Sequence, residues 1–251
     1  MSVAIVAAHP DDEILGIGAL LPRLRRQFTV IHVTDGAPRT GDDVRLAGCS
    51  TWQEYAALRR SEFQKALEAA GGTDEATLCL DCPDQQASFH IAEHAERLAE
   101  ILDWLRPSLV FTHAYEGGHP DHDATAAAVH AATWLCKERC AVAEFAGYHS
   151  GEGGMECECF LDGQDVMPRP LSQRESQWKR EILSCYASQS RILGQFPLKR
   201  EPLRRAPQYD FAKAPHEGPL YYEHFSWGVN SAEWRKLAER AFHELRLPCV
   251  C

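Results

Sequence analysis

Six consecutive small or apolar residues, Val3 to Ala8, run straight into His9-Pro10-Asp11-Asp12-Glu13 at the start of the chain. A strand with one wet face alternates apolar and polar side chains. An unbroken apolar run with Val and Ile in it has no face to give to water, so it predicts a strand covered on both sides. A parallel sheet with helices packed on both faces provides that cover. The chain repeats the pattern. Glu13–Arg26 reads as a helix, with Ile14, Leu15, Ile17, Leu20, Leu21 and Leu24 as its apolar positions. Residues 28–34 read as a second strand closed by a turn at Asp35-Gly36, and 51–70 as a helix stopped by Gly71-Gly72. Residues 76–81 give a third strand, 90–106 a helix ending before Pro107, 108–113 a fourth strand and 120–138 a helix. Segments 142–150 and 155–162 read as later strands, 172–194 and 231–246 as helices, and the Pro- and Arg-rich stretch 197–219 as a surface loop. The expected fold is α/β: a Rossmann-like, mostly parallel sheet with helices on both faces and the active site at the carboxyl ends of the strands. No repeat or linker divides the chain, so one domain over 1–251 is expected, with 197–251 as a C-terminal extension.

Composition narrows the function. At 251 residues, 45% hydrophobic and 25% charged, the chain can bury a proper core. A formal net charge of −10 argues against nucleic acid or an anionic membrane surface as partner. No apolar run approaches the roughly 20 residues of a membrane span. Val3–Ala8 is also too short, and lacks the basic flank, for a secretory signal. A cytoplasmic location is therefore expected, and the 10 cysteines read as reduced thiols. Cys79 and Cys82 form a C-x-x-C without the second pair of a structural zinc site, and Cys157/Cys159 and Cys249/Cys251 form C-x-C pairs.

The chemistry concentrates in a local echo: His-Pro-Asp-Asp at 9–12 and His-Pro-Asp-His at 119–122, each just past a strand and opening a helix. Proline suits a helix's first turn, and acids there are favoured by the helix dipole. Neither rule explains the histidines. A cation at that end is disfavoured, so the imidazoles are expected neutral, as metal ligands must be. If strands one and four are neighbours, His9, Asp12, His119 and His122 meet in one crevice. Two histidines and a carboxylate, with a position left for water, form a catalytic zinc set. The residues alone do not choose between Asp11 and Asp12, nor between His119 and His122. The same donor set would serve a non-haem iron oxygenase, although nothing suggests a co-substrate site. A non-catalytic Rossmann-like binding module is the remaining alternative. Gly16-Ile17-Gly18 begins like a dinucleotide fingerprint but lacks the third glycine and falls inside a helix pattern.

The two motifs, with Thr34-Asp35-Gly36, Leu58–Glu62, Cys82-Pro83-Asp84 and Lys179–Gln189, resemble the LmbE-like, or PIG-L, family of zinc-dependent N-acetylglucosaminyl de-N-acetylases. The resemblance implies a single deacetylase domain that removes acetyl from an N-acetylated amino sugar, giving acetate and a free amine; related members cleave amide-linked thiol conjugates. It implies one zinc ion per chain, another divalent metal being left open, held by His9, Asp12 and His122. Asp11 would be the general base and His119, protonated, would polarise the substrate carbonyl. Arg59 and Asp84 would hold the sugar. Some relatives place a tyrosine two residues before the second motif, where this chain has Gly117; Tyr115 is the nearest tyrosine. The implied partner is a small N-acetyl sugar conjugate, with no nucleic acid, no membrane span and homo-oligomerisation left open.

Overall fold

The computed structural model describes residues 2–25, 27–73 and 76–250. Its centre is β1 (Val3–Ala7), all of whose residues are buried. Around it lie β2 (Phe28–Pro38), β3 (Thr77–Asp84), β4 (Leu109–His113), β5 (Ala141–Phe145) and β8 (Leu203–Arg205). The strand order is β3-β2-β1-β4-β5-β8, parallel except for β8. The chain builds outward from β1 in one direction and from β4 in the other. Between those two strands the connections diverge, and a crevice opens beyond their carboxyl ends. The register Val3↔Leu109 and Ile5↔Phe111 sets the residues after β1 beside those after β4.

Alternation along the strands splits the core into two layers. Ala4, Val6, Ile31, Val33 and Val110 face α4 (Ile91–Leu105), α5 (Pro120–Leu135) and α8 (Ser231–Glu244). Val3, Ile5, Phe28, Val30 and Phe111 face α1 (Asp12–Ile17), α3 (Trp52–Ala69) and α6 (Gln173–Leu183). Gly16 belongs to this packing: a Cβ there would overlap the Phe145 ring, so the glycine lets α1 lie directly on β5. That is its role, and not the approach of a dinucleotide phosphate.

Several boundaries differ from the sequence reading. The first helix stops at Ile17 and continues as a 3-10 turn over Gly18–Leu24 containing Pro22, which has no N–H to give; Arg26 lies outside the described residues. β2 runs through Asp35-Gly36, its register against β3 shifting there, so the glycine (φ +66°) bends a strand and does not end it. The 142–150 segment breaks at Ala146-Gly147 into β5 and β6 (Tyr148–Gly151), and β6 pairs with β7 (Gly154–Cys157) as a separate antiparallel hairpin. The helix expected over 172–194 ends at Leu183, and a short α7 (Ser190–Leu193) follows. The 197–219 stretch is not simply a surface loop. β8 closes the sheet edge, and Glu201 and Arg204 are buried. Their charges are met inside the protein: Lys179 Nζ is 2.9 Å from Glu201 and Arg204 Nε is 2.8 Å from Glu144. Polar residues with internal partners can be buried, and hydropathy alone reads them as surface. The cysteines among the described residues are free thiols; Cys251 lies outside them.

Candidate active site

The turn that leaves β1 has an unusual backbone. Asp11 sits at φ +134°, a region that favours glycine and costs a side-chain-bearing residue about 1–3 kcal/mol. Its neighbours hold it there. The Asp11 N–H donates to Glu13 Oε2 at 3.2 Å, and the Asp11 carbonyl accepts from Ile14 and Leu15. Glu13 is itself fixed in the core, accepting from the Tyr186 hydroxyl at 2.8 Å and lying 2.9 Å from His32 Nε2. Glu13 is thus the anchor that turns Asp11 and Asp12 in different directions.

Asp12 points into the crevice. Its Oδ2 is 3.2 Å from His9 Nδ1 and its Oδ1 is 3.2 Å from His122 Nε2. Two N or O ligands of one tetrahedral ion, with bonds of about 2.0–2.1 Å, stand roughly 3.3 Å apart. The spacing therefore fits a shared metal ion. His9, His119 and His122 also offer nitrogens within 4.8 Å of one another, as do Asp12, His113 and His122 with their own donor atoms. His9, Asp12, His119 and His122 could hold a metal ion. Burial would raise the Asp12 carboxyl, but His122 and His113 beside it hold it well below the usual carboxylate range.

The far nitrogen of His9 is also occupied: Nε2 is 3.1 Å from Asp84 and 3.4 Å from Asp121. A carboxylate on the outer nitrogen is the usual way to orient a metal-ligating histidine. Burial would push His9 down, but Asp84, Asp12 and Asp121 outweigh it and raise the imidazole well above its ordinary value. The carboxylates that surround His9 are distant in the chain and are not visible in a linear motif. Asp84 is engaged with His9 and held low by it against the raising effect of burial.

His119 is different. It caps α5, its Nδ1 accepting the Asp121 N–H at 3.1 Å. An accepting Nδ1 leaves the proton on Nε2. Burial, with His9 and His122 nearby, holds the pKa well below its ordinary value. In this arrangement His119 presents Nε2–H as its donor. Asp121 accepts from Gln85 and Ala87 N–H, and Asp123 from Glu116 and Gly117 N–H. The second motif's acids brace the two loops around the crevice.

Asp11 faces Arg59 of α3, which donates from Nη1 to its Oδ2 at 3.2 Å and from Nη2 to the Pro10 carbonyl at 2.8 Å. Arg59 is 3% exposed, so it is not a solvated helix residue. Burial pushes the Asp11 carboxyl up to about 7, Arg59 opposing and Asp12 assisting.

Some neighbours were absent from the sequence reading. His113, the last residue of β4, stacks on His122 with centroids 4.1 Å apart, and its Nε2 accepts the Ala8 N–H at 3.0 Å. Its lone pair is thereby used, which makes it a brace and not a free donor. The one available signal was its place at a strand's carboxyl end. Tyr115 turns away from the site, packs on Trp234 and donates to the Lys213 carbonyl. The tyrosine beside His122 is Tyr148, at 5.3 Å. From there a circuit of rings passes through Tyr221 and Phe225 to Trp227, whose centroid is 4.4 Å from that of His119. Gly118 permits this closure, since a Cβ there would overlap the Tyr148 carbonyl. A cavity of about 360 Å³ lies to the side, between α3 and β3, and contains none of the candidate ligands.

The chain is similar to known deacetylases in sequence and in fold. The chain is 32% identical over 130 residues to the probable N-acetyl-alpha-D-glucosaminyl L-malate deacetylase 2 of Bacillus subtilis (strain 168), covering 51% of this chain and 58% of that protein. It is 34% identical over 143 residues to the 1D-myo-inositol 2-acetamido-2-deoxy-alpha-D-glucopyranoside deacetylase 2 of Catenulispora acidiphila, covering 48% and 47%. The chain thus spans about half the length of the curated relatives it matches. A deacetylase of the teicoplanin biosynthesis pathway shares the fold, with a TM-score of 0.63 at 18% identity over 82% of this chain and 99% of that one. The model of the PIG-L family, described as GlcNAc-PI de-N-acetylase, matches residues 4–133, just over half of the chain. The chain belongs to the PIG-L family.

Proposed function

We propose that this protein is a metal-dependent N-deacetylase that hydrolyses the acetamide of an N-acetylglucosamine-type conjugate, releasing acetate and the free amine. The observation that carries the reading is Asp12, with His9 on one oxygen and His122 on the other at ligand spacing, directly beside a buried, Arg59-held Asp11. His9, Asp12 and His122 are the assigned ligands and zinc the assigned ion, since this set suits a borderline metal. Zinc held there would lower the pKa of a bound water to about 7 and make it nucleophilic. The chain's own residues supply the rest. Asp11, pushed up to about 7, is matched to taking a proton from the attacking water near neutral pH. His119 donates Nε2–H to the acetamide oxygen as charge gathers there. Protonated Asp11 then returns its proton to the departing nitrogen, which would otherwise leave as an unstable amide anion. The ring circuit from Tyr148 to Trp227 borders His119 and His122, and it gives a sugar an apolar surface to rest on. Arg59 and Asp84 reach the site by holding Asp11 and His9, and sugar hydroxyls are within the chemistry of both.

The test is a panel of N-acetylated amino sugars and amide-linked thiol conjugates, assayed by free amine and acetate on zinc-loaded and chelated protein. Zinc-dependent release from the amino sugars, independent of oxygen, is expected. Oxygen consumption would favour an iron oxygenase, and release only from thiol conjugates would move the activity to that class. No turnover of any member by metal-replete protein would overturn the reading.

A further inference from the structure

The Cys157/Cys159 pair has no part in the centre described above, yet the fold gives one of its members partners. In the β6–β7 hairpin His149 lies directly opposite Glu156, which puts both side chains on the same face. Cys157 lies opposite Tyr148 and joins the apolar cluster on the other face. The chain then returns and places Cys159 Sγ 3.8 Å from His149 Nε2. His149, Glu156 and Cys159 each offer a donor atom, and the three atoms lie within 4.8 Å of one another. His149 is 3% exposed and is prepared for a ligand's role. Its Nδ1–H donates to the Ser150 carbonyl at 2.9 Å, which fixes the tautomer and leaves the Nε2 lone pair facing the sulfur. Gly151 leaves the space that the Glu156 carboxylate occupies, since a Cβ there would overlap it. A tetrahedral ion with bonds of about 2.0–2.1 Å to nitrogen and 2.3 Å to sulfur separates those two atoms by roughly 3.6 Å. The observed gap needs little adjustment.

We propose that His149, Glu156 and Cys159 form a second metal site, separate from the crevice, that takes a zinc-class divalent ion with water as its fourth ligand. The imidazole, thiolate and carboxylate set is one that borderline metals favour and magnesium or calcium do not. Binding converts the Cys159 thiol to thiolate and releases its proton to solvent. The ion ties the start of the hairpin to the segment after it. Tyr148 of this hairpin packs on His122, so the site also fixes one wall of the crevice.

Sulfur separates the two sites spectroscopically, because no cysteine is among the ligands assigned to the crevice. The full chain, freed of metal, is titrated with cobalt(II) alone while the sulfur-to-cobalt charge-transfer band is followed, and bound metal per chain is counted. A saturable band is expected, with one sulfur-bound ion per chain counted separately from any ion in the crevice. Cys159→Ser should abolish the band and lower the bound metal by one ion per chain, Glu156→Gln should weaken its titration by about tenfold or more, and Cys157→Ser and His122→Ala should keep the band. Far-ultraviolet circular dichroism of each variant checks that it is folded. A band that never forms, or one that survives Cys159→Ser or vanishes with Cys157→Ser, overturns the assignment. None of these readouts uses deacetylase activity, so the site stands or falls independently of the proposed function.

Discussion

Asp11 and Asp12 are adjacent and chemically identical, yet the fold surrounds them with opposite partners. Asp12 is held low by histidines, and Asp11 is raised by burial despite Arg59. With Asp12 as ligand and Asp11 as base, Asp12→Asn should lose metal. Asp11→Asn should keep it while kcat falls by about 10²–10⁴-fold, the usual contribution of general acid–base catalysis. Zinc content and kcat of both variants on one substrate check this, and the opposite pattern would exchange the two roles. Arg59 calls for a finer measurement. If its task is to orient Asp11, Arg59→Lys should lower kcat with KM and metal content nearly unchanged. A rise in KM alone would return it to the sugar-holding role that the family resemblance implies. At this scale the sequence shows which residue types gather, since His9, Asp12, His119 and His122 do meet in one crevice. It does not show protonation, which depends on partners such as Asp84 and Asp121 that are distant in the chain.

The elements that carry these residues are held by contacts of two kinds. Elements with a strong local apolar signal, such as the unbroken run of β1, the amphipathic α4 and the nearly all-round buried α5, could be read directly from the chain, because hydrophobic pattern is a local property. Elements stabilised by internal charge pairs could not: β8 looked like a loop because Arg204 and Glu201 are polar, and only their distant partners Glu144 and Lys179 explain their burial. The 3-10 turn at Tyr221–His224 and the residues after it are a similar case. The Tyr221 N–H donates to the Gly117 carbonyl, and this contact brings Phe225 and Trp227 over the second motif. If this aromatic segment seats the substrate, Trp227→Ala should raise KM. An aromatic contact contributes about 0.5–1.5 kcal/mol, so the rise should be about 2- to 10-fold. Zinc content should not change. Steady-state kinetics on the best substrate of the panel decide it, and an unchanged KM would make the segment a structural cover.

The whole molecule also carries a pH dependence that arises beside the crevice. Glu116 is buried, with its carboxylate accepting the Leu161 N–H, and burial pushes its carboxyl from 4.5 up to about 8. An acid raised in the folded state binds its proton more tightly there than in the unfolded chain. Its contribution to stability is therefore complete below pH 4.5, falls as pH rises, and is lost once pH passes about 8. The loss is on the order of a few kcal/mol. Denaturant melts of Glu116→Gln across this range should show a markedly flatter decline than the parent, and parallel curves would mean the carboxyl is not raised.

The division of labour along the chain has a further consequence. The assigned ligands and base fall between residues 9 and 122, within the segment 4–133 that matches the family, whereas Tyr148, Tyr221, Phe225 and Trp227 all lie beyond it. On the proposed function, the groups assigned to the reaction and the rings that border them thus come from separate stretches of one polypeptide. The two stretches meet through buried, close contacts: Leu220 lies against Gly117, Tyr148 against Gly118, and the Tyr186 hydroxyl donates to Glu13. The two stretches therefore have to change together, since an exchange of everything after α5 would also remove Tyr186 and free Glu13 from the turn that carries Asp11 and Asp12.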